Sequence, residues 1–221
     1  SLNRICALLT GIGLLAACQT AKPPEGFSRD QLVEGLMLTA FDSEFEGDLP
    51  THNRVVKWVE PWRIEIVDLD RNRVYKKPSR ETTKLAIVDD VLMELSAITG
   101  IALAGEYTGP PNYFIIMGRP AKILEIAEVM EDIGRPRLAE GLRFAFADEG
   151  EQRCMFTTEY DRHFHLQKAG LFLATQLNEE VFRECATEEI AQTTGLSNDS
   201  DRLPLSMFND HNAVTRLGAF D

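Results

Sequence analysis

Histidine is scarce in this chain, four among 221 residues, and cysteine equally so, also four. No two histidines stand four apart, so the H-E-x-x-H pattern that sets two imidazoles on one helical face around Zn²⁺ is missing. No G-x-S-x-G elbow, phosphate loop or C-x-x-C pair occurs, so the sequence offers no motif for α/β-hydrolase, P-loop or thioredoxin-type chemistry. Positive charge is also short: 23 Lys and Arg against 35 Asp and Glu leave a formal net charge of −12. A basic nucleic-acid surface is not expected from such a balance. No apolar run reaches the roughly 20 residues that span a bilayer, and there is no internal repeat or low-complexity tract.

What is present begins with SLNRICALLTGIGLLAACQTAKPPEG, where Arg4 precedes an apolar run closing on Leu15-Ala16-Ala17-Cys18. These are the three parts of an export signal. L-A-A-C resembles the lipobox of bacterial lipoproteins, which implies a signal peptide over 1–17, lipid on Cys18 and a tether over 18–26. Gln19 is not the Asp that resembles an inner-membrane retention signal. The expectation is a protein of the bacterial cell envelope, an outer-membrane lipoprotein facing the periplasm and held to the membrane through Cys18. The competing reading of the same run is a buried apolar helix. Removing 1–17, where Arg4 is the only charge, takes the net charge from −12 to −13.

Cys6 would leave with the signal and Cys18 would carry lipid, so Cys154 and Cys185 remain. In an oxidising compartment two such cysteines pair most simply. Two free buried thiols and a metal site are the alternatives, the second weakened by the lack of a near histidine. A disulfide closing the Cys154 to Cys185 loop is the expectation.

Residues 27–221 suit one domain. Leu32, Leu36 and Phe41 have near-helical spacing, VVKWVEPWRIEIVD alternates like a strand broken near Pro61, and KLAIVDDVLMELSAITG reads as an amphipathic helix stopped by Gly100. IALAG and NYFIIMG suggest two short buried strands, and PAKILEIAEVMEDIG a helix from Pro120 to Gly134. LRFAF, CMFTTEY and KAGLFLATQL read as further strands, and NEEVFRECATEEIAQTTG as a helix that Gly195 ends. The pattern predicts an α+β fold.

That last helix carries the most informative stretch, EEIAQTTGLSND. On the metzincin pattern H-E-x-x-H-x-x-G-x-x-H, Glu188 and Gln192 occupy the two helix ligand positions and Glu189 the general-base position. Gly195 occupies the turn and Asn198 the third ligand position, with Asp199 beside it. LPLSMFND puts Met207 where metzincins carry their Met-turn, and AVTRLGAFD resembles the start of the helix that follows it. Together with Cys154…Cys185, EEIAQTTGLSNDS and SMFND, these segments resemble the bacterial domain-of-unknown-function family 2927 from about Val55 onward. The resemblance implies a zincin-like mixed sheet with packed helices and the motif helix near the C-terminus. It also implies a further helix beyond the final segment, so the C-terminus is expected to be truncated.

Glu, Gln and Asn form a poor zinc triad, since a carboxylate and two amides suit Ca²⁺ or Mg²⁺ better and cannot cage either alone. No cofactor is expected. His163 and His165, which i,i+2 spacing would put on one strand face, are the other metal candidates, with a plain surface strand as the alternative. His52 and His211 belong to no motif, and Cys185 near Glu188 has no histidine base in sequence. GRPAK could hold an anion at a helix start. The preferred function is a lipid-anchored, catalytically inactive metalloprotease-like domain that binds a peptide or protein partner. The alternative is a hydrolase using Glu189 as general base with a non-zinc metal; an accidental likeness in an ordinary helix is the third reading.

Overall fold

The computed structural model describes residues 26–41, 54–147, 153–204, 206–209 and 214–221. Cys18, the signal segment, His52 and His211 lie outside the described residues, as does the tether apart from Gly26.

The stretch around Pro61 forms two strands, β1 (Lys57–Trp58) and β2 (Ile64–Asp68). A proline cannot donate to a ladder, which fits the interruption. Asn112 repairs the gap. Its side-chain oxygen accepts from the Arg63 N–H at 2.7 Å and its amide donates to the Pro61 carbonyl at 3.1 Å, so backbone polar groups in the break are paired. β3 (Arg73–Tyr75) turns back on β2, and α2 (Thr83–Thr99) follows. The Thr82 hydroxyl caps the start of α2 by accepting from the Leu85 N–H, and Gly100 at φ 73° ends it.

β4 (Tyr113–Gly118), α3 (Pro120–Asp132), α4 (Pro136–Phe146), β5 (Cys154–Tyr160), β6 (His165–Ala174) and α5 (Glu179–Gln192) complete the order after α1 (Arg29–Phe41). β2, β4 and β6 run parallel through the sheet, β3 and β5 are antiparallel to their neighbours, and β1 pairs with the start of β6. The described residues thus hold five helices and a mixed six-stranded sheet, an α+β fold.

Strand alternation sends Ile64, Ile66, Tyr113, Ile115, Met117, Leu171 and Leu173 into one core with α2 and α5. Phe172 and Ala174 face a second core with α3 and α4. The sheet is covered on both faces, which is why its central strands are so apolar.

Two expectations are corrected. LRFAF is helical: Ala139, Leu142, Ala145 and Phe146 are buried while Phe144 is 76% exposed, a period near 3.6 opened by Pro136 at the helix start. IALAG contributes only a bridge from Leu103 to Trp62. α1 forms as the spacing of Leu32, Leu36 and Phe41 predicts, and it seats Gly35, Thr39 and Ala40 while Leu36 is 51% exposed. The reason is close approach: a Cβ on Gly35 would meet the Phe220 ring at 2.8 Å.

Cys154 and Cys185 are disulfide-bonded with Cα atoms 5.9 Å apart, tying the start of β5 to the buried face of α5. The bond spans a sequence separation of 31, for which the chain-entropy relation gives about 3–4 kcal/mol. Cys185→Ala is expected to lower the unfolding free energy by that order, measured by denaturant melts. Thiol titration of the non-reduced protein that finds both cysteines reactive would contradict the pairing.

Candidate functional site

The last turn of α5 is built against the sheet. Thr193, fully buried, follows the helix as its cap residue. Its carbonyl accepts from the Trp58 indole N–H at 2.8 Å, and its hydroxyl donates to the Ile190 carbonyl at 2.7 Å. With that proton used, the same hydroxyl accepts from the Tyr113 O–H at 2.9 Å. Burial pushes the Tyr113 hydroxyl up, the Thr193 hydrogen bond opposes this and the nearby Glu189 carboxylate reinforces it, so Tyr113 stays protonated and can donate. The ring of Trp58 lies 6.2 Å from that of Tyr113, and Trp62 5.3 Å from it.

The remaining carbonyls at this end are also satisfied. Those of Glu189, Ala191 and Gln192 accept from Thr193, Thr194 and Gly195 N–H groups at 3.2, 2.9 and 3.1 Å, as the end of a buried helix requires. Gly195 then turns the chain at φ 114°, and a Cβ there would sit 2.1 Å from the Val56 carbonyl oxygen. Both the dihedral and the space demand glycine.

Beyond the turn, the structure separates the residues that the motif spacing grouped. Glu188 is half-buried and Glu189 is 8% exposed. Gln192, buried, donates its amide to Asp199 Oδ2 at 2.6 Å. Asn198 faces α1 instead: its amide donates to the Leu38 carbonyl at 2.9 Å and its N–H to the Thr39 carbonyl at 3.2 Å. Both bonds fasten the chain after α5 to the last turn of α1.

Met207 is buried in the core shared by the sheet and α5, its N–H donated to Asp221 Oδ1 at 3.1 Å, an oxygen that also accepts from the Ser206 hydroxyl at 2.5 Å. Thr193, Tyr113, Trp58 and Asp221 carried no signal in the sequence, because each depends on a partner remote in the chain or on none that a motif names.

The other metal candidates, His163 and His165, lie with ring centroids 6.1 Å apart but among the described residues are joined by no third ligand in a metal-sized group. His163 lies in the turn between β5 and β6, with Phe164 at φ 63°, so it does not share a strand face with His165, which opens β6. Both backbone N–H groups are held by Asp161, and the His163 Nε2 accepts from Arg162. Among the described residues no three His, Cys, Asp or Glu side chains form a metal-sized group.

The start of α3 is occupied by the protein's own carboxylate, Asp70, which accepts from the Arg119 N–H at 3.2 Å and the Thr175 hydroxyl at 2.5 Å. Burial raises the Asp70 carboxyl, but those hydrogen bonds and the Arg119 guanidinium outweigh it and hold it below the usual carboxylate range.

A mixed α+β sheet domain, with its most buried polar cluster at the end of its last helix, is thus the class of protein defined here. The family model described as "Protein of unknown function (DUF2927)" matches residues 29–221, and the chain belongs to that family. No curated protein and no solved structure matches it.

Gly195→Ala is expected to cost roughly 3 kcal/mol or more, from a positive φ together with a backbone clash. A melt within experimental error of wild type would show that the turn relaxes freely.

Proposed function

We propose that this is a lipid-anchored periplasmic protein whose domain is a catalytically inactive relative of the zincins, using the surface beside α5 to hold a peptide or protein partner. The observation that carries this reading is the use made of the two amides. Gln192 and Asn198, at two of the three metal-ligand positions, spend their side chains on Asp199 and on the end of α1. A catalytic zinc needs three donors converging on one point with a fourth position open for water, and these side chains diverge.

The zincin likeness is supported by the order of elements ahead of α5, by the glycine turn after it and by the buried methionine at the Met-turn position. Without a metal, Glu189 has no water of lowered pKa to deprotonate. The lipid anchor is supported by Leu15-Ala16-Ala17-Cys18 behind the apolar run. Among the described residues no helix is long and apolar enough to cross a membrane.

Two assays on the full chain test the two halves of this reading. Incubated with an unstructured protein such as casein, wild type and Glu189→Ala are expected to show the same background cleavage. Cleavage lost in Glu189→Ala would restore the hydrolase. In cell fractionation, Cys18→Ser is expected to leave the membrane fraction, because the thiol that would carry the anchoring acyl chains is gone; retention at the wild-type level would contradict lipidation.

A further inference from the structure

On the face of the sheet opposite α5, α3 and α4 do not cover the strands completely. A cavity of about 400 Å³ opens there, floored by Phe114, Gly170 and Phe172 and roofed by Met130, Ile133 and Leu138. This volume falls within the roughly 300–1,000 Å³ of small-molecule sites.

Its floor depends on one glycine. Phe114, Gly170 and Thr157 are paired across three neighbouring strands. A Cβ on Gly170 would meet the Thr157 methyl at 3.0 Å and the Phe172 ring at 3.7 Å, so the missing side chain is what leaves the trough open.

Its lip is fixed by hydrogen bonds. At the end of α3 the Arg135 N–H donates to the Met130 carbonyl at 2.8 Å and the Gly134 N–H to the Glu131 carbonyl at 3.0 Å, with Gly134 at φ 80°. This is the paired arrangement of a Schellman cap. It holds Ile133, 64% exposed, and Arg135 at the mouth.

Three charged residues line the cavity: Arg135, Lys168 and Glu159. Glu159 is ion-paired to Arg135 and lies 3.4 Å from Lys168. Two cations share one carboxylate, so the rim carries a surplus positive charge in a chain whose net charge is −12. An apolar trough ending at a cationic rim complements a molecule with one apolar tail and one negative head.

We propose that the trough between the α3–α4 elbow and the sheet binds a single-chain anionic amphiphile, a fatty-acid carboxylate, with its tail over Phe114 and Gly170 and its head between Arg135 and Lys168. The tail displaces water from an apolar surface, and the carboxylate takes charge-assisted hydrogen bonds from the two cations. This inference is independent of the reading of α5, since the two sites occupy opposite faces of the sheet.

The test is calorimetric titration of the full chain carrying Cys18→Ser, so that no lipid of its own competes, with dodecanoate below its micelle concentration. One-to-one binding is expected. Lys168→Gln and, separately, Ile133→Asp at the exposed lip are expected to weaken it at least about tenfold, as loss of a charge-assisted contact or of the dry mouth implies, with unchanged circular dichroism and melting temperature. Dodecyltrimethylammonium, with the same tail and opposite head, is expected to bind at least about tenfold more weakly. Absence of dodecanoate binding, equal binding of the cationic detergent, or dodecanoate affinity untouched in both folded variants would overturn the proposal. So would sedimentation showing that the trough is closed by a second copy of the chain, with self-association abolished by Ile133→Asp.

Discussion

The buried hydroxyl of Thr193 is the contact on which the α5 side of the molecule depends. It donates to the last turn of its own helix and accepts from Tyr113 on the central strand β4, while the carbonyl of the same residue takes the Trp58 indole. A helix end buried away from water must find partners for its carbonyls or lose the free energy of each unpaired group. Here residues 193–195 supply partners for the last carbonyls of the helix, and the sheet adds the Trp58 indole and the Tyr113 hydroxyl on Thr193, which fix α5 in rotation and depth. The disulfide from Cys185 to β5 adds a covalent tie between the same helix and the sheet.

Everything after α5 inherits that placement. Because the helix end lies against β1, the chain leaves it next to the Val56 carbonyl, where only glycine fits. The turn at Gly195 then delivers Asn198 to the Leu38 and Thr39 carbonyls of α1 and Asp199 to the amide of Gln192. The residues that share this spacing serve the structure: Asn198 bonds the last turn of α1 and Gln192 braces the turn. The tail beyond Met207 closes over this arrangement through Asp221 and through Phe220, which packs on Gly35.

Much of the fold could be read locally. Thr82 and Gly100 bracket α2, Pro120 and Gly134 bracket α3, and Pro61 divides the first strand region, because caps and breakers act within a few residues. LRFAF failed as a strand because a five-residue apolar window cannot separate period 2 from period 3.6; Pro136, six residues ahead of it, was the signal available. The cluster at Thr193 was illegible for a different reason. Its partners stand 80 and 135 residues away, and Asn112 reaches 49 residues to mend the break at Pro61. Such pairings are set by topology, which no local pattern encodes. The site positions on α5 were visible only through their spacing, and spacing says nothing of where a side chain will find its hydrogen bond.

Whether the motif positions can hold a metal is therefore a question about Gln192 and Asn198. The most direct measurement is elemental analysis of the full chain, purified without chelators and then dialysed against micromolar zinc, alongside Asn198→Ala. No stoichiometric zinc is expected in either protein, with Asn198→Ala less stable because the Leu38 carbonyl loses its hydrogen bond from the Asn198 amide. One zinc per wild-type chain, lost in Asn198→Ala, would contradict the claim that this amide serves the fold rather than a metal.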